Sequence, residues 1–264
     1  MKKTNVLRDL LRAGKPTIGT HCHVTWPGMV EVIGQAGTMD YIEFEGEYAP
    51  YDLYALENFG RAVELFPNMS AMMKIEQQPR TYLAVRAIGS GIQNLLFADI
   101  RGVEDARDAV RSTRAETPQT GGIAGVGMRR DVGYVIDAGS ARYVQSLEDA
   151  VVCLMIEKRG AVERLEEVLS VKGVDMVQFG PADYSLSIGI PGQWEHPELK
   201  KAERHVIETA IRMGVRPRVE INKWEEAKPY MEMGVKDFCI GWDVQTIHDY
   251  CKEQGAGLAK LLGR

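Results

Sequence analysis

Residues 147–189, LEDAVVCLMIEKRGAVERLEEVLSVKGVDMVQFGPADYSLSIG, decide how the rest of the chain is read. The segment 151–156 is a continuous apolar run with β-branched residues, the pattern of a strand buried on both faces of a parallel sheet. Residues 159–171 carry apolar positions at Val162, Leu165, Val168 and Leu169, which is helical spacing, and Gly173 is placed to close that helix. A second strand over 174–179 ends in Gly180-Pro181-Ala182-Asp183. A right-handed crossover puts the carboxyl ends of both strands on one side, so Glu157 and Asp183 are expected to emerge next to each other. Two converging carboxylates among apolar strands must share a proton or hold a cation. The plainer reading of Asp183 is a helix N-cap ahead of residues 184–188.

The same pattern recurs outward in both directions. Strands are predicted over 17–22, 41–45, 71–74, 94–98, 151–156, 174–179, 218–221 and 237–240. Helices are predicted over 28–36, 54–66, 80–88, 102–114, 159–171, 197–213, 224–233 and 244–262. Eight βα units in 264 residues predict an α/β fold, a (β/α)₈ TIM barrel spanning residues 1–264 as a single domain. No Pro-, Gly- or Ser-rich linker divides the chain. The longest irregular stretch, 115–143, is the length of a functional or interface loop.

Composition narrows the class. With 45% hydrophobic and 26% charged residues the chain has a globular balance, and no run approaches the 18 apolar residues of a membrane span. The N-terminal MKKTNVLRDLLRAGK lacks the apolar core of a signal peptide, and a net charge of −5 argues against a nucleic-acid surface. Cys22, Cys153, Cys239 and Cys251 form no CxxC pair and read as buried free thiols of a cytoplasmic protein.

In a barrel, chemistry sits where strands end. Those ends carry His21 and His23, Glu45, Glu47 and Tyr48, Lys74 and Glu76, Asp99 and Arg101, Glu157, Asp183, Glu220 and Asn222, and Trp242 and Asp243. So many carboxylates favour a divalent cation. Glu157 and Asp183 with no Cys or His beside them suit Mg²⁺ or Mn²⁺, which prefer oxygen ligands and retain water, and not a structural zinc. Of His21 and His23, one is expected to face inward, where it would be an acid or base or a structural hydrogen-bonder.

The paired segments Met155-Ile156-Glu157 and Gly180-Pro181-Ala182-Asp183-Tyr184-Ser185 resemble those of the HpcH/HpaI aldolases, metal-dependent class II pyruvate aldolases. The resemblance extends to residues 15–19, Glu45-Gly46-Glu47-Tyr48-Ala49-Pro50, 105–114 and Gly125-Val126-Gly127, nearly the whole chain. It implies a hexamer of exchanged terminal helices (a trimer of dimers), metal ligation by Glu157 and Asp183, and a pyruvate carboxylate received at Ala182 and Asp183.

The chain departs from that pattern at four places. Tyr48 stands where the family typically has a base histidine, and with a reference pKa near 10 it is a poor base but a usable hydrogen-bond donor. Lys74 stands where the family has arginine, so a point charge replaces a planar fork. Residues 87–91 lack the acid that supports the histidine, and Met155 stands where glutamine is usual near the ligand. The resemblance implies a carbon–carbon lyase cleaving a 4-hydroxy-2-oxo acid to a 2-oxo acid and an aldehyde. Catalytic candidates are Lys74, Tyr48, His21 and Glu47; substrate-binding candidates are Ala182, Asp183, Lys74 and Met155. Two alternatives stay open: a β-keto-acid decarboxylase, which needs an enolate stabiliser but no such base, and a metal- and oxo-acid-binding protein without turnover.

Overall fold

A computed structural model describes residues 4–264; the first three positions of the expected 1–264 domain lie outside the described residues. Eight parallel strands close into a barrel in chain order: β1 (Thr17–Cys22), β2 (Tyr41–Glu45), β3 (Ser70–Ile75), β4 (Asn94–Phe97), β5 (Val151–Ile156), β6 (Met176–Phe179), β7 (Arg216–Ile221) and β8 (Asp237–Trp242). The helices are α1 (Val6–Arg12), α2 (Pro27–Gln35), α3 (Leu53–Val63), α4 (Arg80–Gly89), α5 (Val103–Ser112), α6 (Ala141–Glu148), α7 (Arg159–Glu163), α8 (Leu165–Leu169), α9 (Pro181–Ser187), α10 (Pro197–Met213), α11 (Ala227–Glu232) and α12 (Asp243–Leu261). The expected TIM barrel is the observed fold.

Strand alternation builds two separate apolar layers. Residues on the outer face of the sheet, such as Phe44, Leu95, Phe97, Leu154 and Val177, pack against the helices together with Phe59 and Leu165. Their alternates point inward: Tyr41, Met72, Leu96, Cys153, Met176 and Cys239 fill the lower barrel. Leu7 of α1 plugs that lower end and is fully buried. Each large side chain of this kind contributes roughly 1.5–3 kcal/mol on burial. Arg8 holds the plug in place with two bonds to Asp175 at 2.5 and 2.7 Å and a third to the Ala150 carbonyl at 2.7 Å. Inward positions become charged higher up: Glu43 and Glu45 on β2, paired in register with Met72 and Lys74 on β3.

The elements differ from expectation where local chemistry intervenes. The helix expected over 159–171 is two short helices broken at Arg164, whose φ of −116° and ψ of 32° are not helical. Gly173 adopts a positive φ of 103°, but the helix has already ended at Leu169, so Gly173 turns the chain into β6 and is not a helix cap. The helix expected over 224–233 is a 3₁₀ turn, Trp224–Glu226, running into α11, with Pro229 inside it. The irregular stretch 115–143 contains a 3₁₀ turn, Arg130–Val132, and gives way at Ala141 to α6, which Ser140 caps by accepting from the Tyr143 amide at 3.1 Å. Cys22, Cys153 and Cys239 are buried free thiols; Cys251 is exposed, because α12 leaves the barrel wall. Among the described residues no helix is long and apolar enough to cross a membrane.

Candidate active site

Two charged centres lie side by side at the carboxyl ends of the strands. The first is built on β4, β5 and β6. Glu157 follows β5 and is 4% exposed. Its Oε1 accepts from the Asp99 amide at 2.7 Å, possible because Asp99 takes a left-handed φ of 56°. Its Oε2 faces Gly180, where a Cβ would stand 2.5 Å from that oxygen, so only glycine leaves the approach open. Burial pushes the Glu157 pKa up to about 7 against the opposing pull of the Asp99 amide and Lys74. Asp183 lies in the first turn of α9, partly open to solvent, and the ammonium of Lys158 joins it to Asp99 at 2.7 and 2.5 Å. Lys158 thus pairs with Asp99 and Asp183, while Glu157 feels Lys74 and Lys158 only at a distance. The three carboxylates outnumber the lysines beside them, and an all-oxygen donor set with excess negative charge fits a divalent cation. Ala182 is exposed beside this centre, and Met155 is buried behind Gly180.

The second centre is built on β1, β2, β6 and β7. Arg218 is fully buried and grips both oxygens of the equally buried Glu43, with Nη2 at 3.1 Å from Oε1 and Nη1 closer still to Oε2. Its Nε donates to Gln178, whose amide in turn donates to Glu220. His21 Nε2 lies 3.1, 3.5 and 3.6 Å from carboxylate oxygens of Glu220, Glu45 and Glu43, without the alignment of a hydrogen bond to any. Burial works against a charged His21 ring, but Cys239 and Glu220 outweigh it and hold its pKa well above the usual value. Burial, then Glu43, raises Glu45 to about 8. Glu220 is lowered to about 2: His21 and Arg218 outweigh its burial.

Among the described residues, His21, Glu43 and Glu45 are the one set of three or more potential ligands whose atoms all lie within 4.8 Å of one another. Spacing alone would allow a metal there. The charges do not favour it, since both Glu43 oxygens serve Arg218 and the remaining acids are met by His21 and Lys74. The first centre lacks such compensation.

Lys74 links the two centres. Its ammonium donates to the Tyr48 hydroxyl at 2.6 Å and lies 2.8 Å from Glu47 Oε2. Burial opposes its charge, yet Glu45, Tyr48 and Glu47 raise its pKa above the usual lysine value, so it is a fixed cation and not a Schiff-base amine. Burial raises the Tyr48 pKa, partly offset by Lys74, which rules out a phenolate base near neutrality.

Strand alternation does not separate His21 from His23. Residues two apart share a strand face, and Cys22 between them packs outward into the helix layer. His21 points into the barrel, while His23 lies at the mouth between Tyr48 and Trp242, its ring nearly parallel to both, with centroids 6.1 and 5.3 Å away.

All the sequence-selected residues thus reach the one barrel face, Lys74, Tyr48 and Glu47 in direct contact. Missing from the sequence reading are Lys158, Gln178, Glu43 and Arg218. A signal existed for the last two: a charge in the middle of a buried strand, as at Glu43 in YIEFE and Arg218 in RPRVEI, must have a buried partner.

A barrel with a carboxylate-lined mouth of this design defines a class, and comparisons with known proteins specify it. The model of the HpcH/HpaI aldolase/citrate lyase family matches residues 23–245, and the chain belongs to that family. It is therefore a carbon–carbon lyase by descent. It is 30% identical over 250 residues to a protein of Shigella boydii serotype 18 (strain CDC 3083-94 / BS512) named 4-hydroxy-2-oxo-heptane-1,7-dioate aldolase, covering 92% of this chain and 90% of that one. Among solved structures it is similar to an HpcH/HpaI aldolase/citrate lyase family protein from Burkholderia cenocepacia J2315, with a TM-score of 0.87 at 26% identity over 97% and 99% of the two chains. It is similar also to the HpcH/HpaI aldolase from Desulfitobacterium hafniense DCB-2, with a TM-score of 0.85 at 27% identity over 96% of each.

Proposed function

We propose that the chain cleaves a 4-hydroxy-2-oxo acid to pyruvate, or a related 2-oxo acid, and an aldehyde, using Mg²⁺ or Mn²⁺ held by Glu157 and Asp183. The observation that carries this reading is the deficit of positive charge around the buried Glu157, in a chain related to a named aldolase. Bound there, the metal would act as a Lewis acid toward the 2-oxo acid and stabilise the enolate charge.

The chain's own groups supply the rest. The amides of Ala182 and Asp183 open the turn at the start of α9 and face the substrate carboxylate. Met155 forms the floor behind Gly180. Lys74 brings a fixed positive charge within reach of the developing enolate. Because Lys74 donates to the Tyr48 oxygen, the phenolic proton is free to be passed on, and Glu47 is its acceptor. Tyr48 therefore takes the proton of the 4-hydroxyl as it hands its own to Glu47, a relay in place of a histidine base. His21, held charged, serves as a proton donor to the enolate that remains.

A β-keto-acid decarboxylase is the second reading, favoured by the absence of any ordinary base at position 48. Incubation with Mg²⁺ or Mn²⁺ and a panel of 4-hydroxy-2-oxo acids and oxaloacetate separates the readings: aldehyde with pyruvate is expected, CO₂ alone would transfer the chain to the decarboxylases, and substrate binding without product would make it a binding protein. We place the whole chain, 1–264, in one cytoplasmic barrel domain that assembles as a homo-oligomer, a trimer of dimers. Support for assembly comes from α12, which exposes Ile247, Tyr250, Leu258 and Leu261 and buries only Asp243.

A further inference from the structure

The barrel wall has a seam. β6 and β7 pair through only three residues, Met176↔Arg216, Val177↔Pro217 and Gln178↔Arg218, and separate above them. Their other neighbours stay paired higher: β5 meets β6 up to Ile156↔Phe179, and β7 meets β8 up to Ile221↔Ile240. The short β6 causes this, because its chain turns at Gly180 into α9 while β7 continues.

Between the parted strands a cavity of about 220 Å³ runs from the barrel mouth outward to α10. That is room for about seven waters at ~30 Å³ each, or a short carbon chain. Pro181 lines it, immediately before the Ala182–Asp183 turn, so the cavity begins where the 2-oxo acid would end. Its walls are mixed, with an apolar side formed by Phe179, Val206, Ile207, Ile221 and Trp242. The polar groups facing it are His21 and Glu220 at the inner end, and Glu203 and Asn222 farther out. No uncommitted cation faces it among the described residues. Arg218 touches the cavity, but its guanidinium is taken by Glu43 and Gln178, and His21 is matched to Glu220. Glu203 accepts from the Tyr230 hydroxyl at 2.9 Å.

We propose that this slot between β6 and β7 receives the aldehyde-derived half of the substrate, and that this half is an uncharged chain with an apolar body and not one ending in a second carboxylate. The proposal rests on the aldolase reading above. A carboxylate in the slot would be desolvated beside Glu203, with Arg218 already held by Glu43 and His21 by Glu220. A neutral chain buries its methylenes on Ile207 and Ile221 and presents any hydroxyl to Glu220 or Asn222. The chain then differs in substrate from the relative named for a heptane-1,7-dioate.

The test compares kcat/KM in Mn²⁺ for 4-hydroxy-2-oxoheptanoate and 4-hydroxy-2-oxoheptanedioate, which differ only in the terminal carboxylate, with 4-hydroxy-2-oxopentanoate as the short reference. The neutral heptanoate is expected to be favoured over the dioate by about tenfold or more, the scale of a single pocket interaction. Ile207→Trp, which fills the slot from α10, is expected to lower the heptanoate-to-pentanoate ratio by about tenfold. Glu220→Gln is a second and milder variant, expected to narrow the heptanoate-to-dioate preference. A wild type that cleaves the dioate as well as or better than the heptanoate would overturn the slot while leaving the aldolase reading intact. A wild type that releases pyruvate from none of the three would overturn the aldolase reading and the slot with it.

Discussion

The β4–β6 side and the β1–β2–β7 side of the barrel mouth are both crowded with acids, and they solve that problem in opposite ways. Around Glu43 and Glu45 the chain supplies its own counter-charges: Arg218 on one carboxylate, Lys74 and a charged His21 near the others, and a proton on Glu45 up to about pH 8. Around Glu157 and Asp183 it pairs Lys158 with Asp99 and Asp183, gives Glu157 only the more distant pull of Lys74 and Lys158, and leaves an oxygen of Glu157 facing Gly180. A buried acid cluster is therefore not evidence of a metal by itself. The balance of charge distinguishes the two: the network around Arg218 and Glu43 is matched within the chain, and the centre at Glu157 and Asp183 is the one for which we propose a cation.

The largest effects are expected from removing the open centre. Glu157→Gln and Asp183→Asn should each weaken Mn²⁺ binding by more than about a hundredfold in titration calorimetry and abolish cleavage, with the circular dichroism spectrum unchanged. Wild-type affinity in both variants would end the contrast between the two centres.

Removing the closed network should instead damage the fold. Arg218→Met leaves Glu43 buried and unpaired and is expected to cost about 3–5 kcal/mol in denaturant unfolding. The pair Arg218→Met with Glu43→Gln should recover part of that loss. A double variant no better than the single one would show that the arginine acts by shape and not by charge.

Tyr48 joins the two centres through Lys74, and Tyr48→Phe breaks the proposed relay. It should lower kcat by roughly 10²–10⁴ while leaving Mn²⁺ binding intact. If kcat is unchanged, the phenol is a wall of the mouth and no part of the proton path. Restoring the family residues, Tyr48→His with Lys74→Arg, is expected to lower activity also, because residues 87–91 offer no acid to orient the new imidazole.

The smallest effect is a pH slope. Glu45 has a folded pKa of about 8, above its unfolded value, so the folded state binds the extra proton between the two. Stability should then fall as pH rises from the ordinary carboxylate range to about 8, and the raised His21 acts in the same direction above its unfolded pKa. Glu45→Gln should flatten this slope in thermal unfolding between pH 5 and pH 8, about the span of the cited shift. An unaltered slope would place the stored proton elsewhere.

Much of this molecule was legible from residue order. Periodicity located all eight strands, four of them with the correct first residue and last residue or with one end shifted by a single position, because strands of a parallel barrel are buried on both faces and carry short, largely apolar runs. The strand-end rule then brought out Glu157, Asp183, Lys74, Tyr48 and His21, since topology alone fixes which end of a parallel barrel they occupy. Helix breaks at Arg164 and the cap at Ser140 were not legible, because tertiary packing competes with propensity over such short segments.

What only the tertiary structure decided is which charges meet. Arg218 lies 175 residues from Glu43 in the chain, and Lys158 reaches 25 residues on to Asp183. A single sequence shows that each is charged but carries no distance between them. Whether a carboxylate is matched, protonated or left for a metal is a sum over neighbours brought together by barrel closure, so it exists only once β1 and β8 have paired. The seam between β6 and β7 is of the same kind. The apolar part of its lining is visible in the sequence as ordinary core residues, and only the early turn at Gly180 opens a space between the strands.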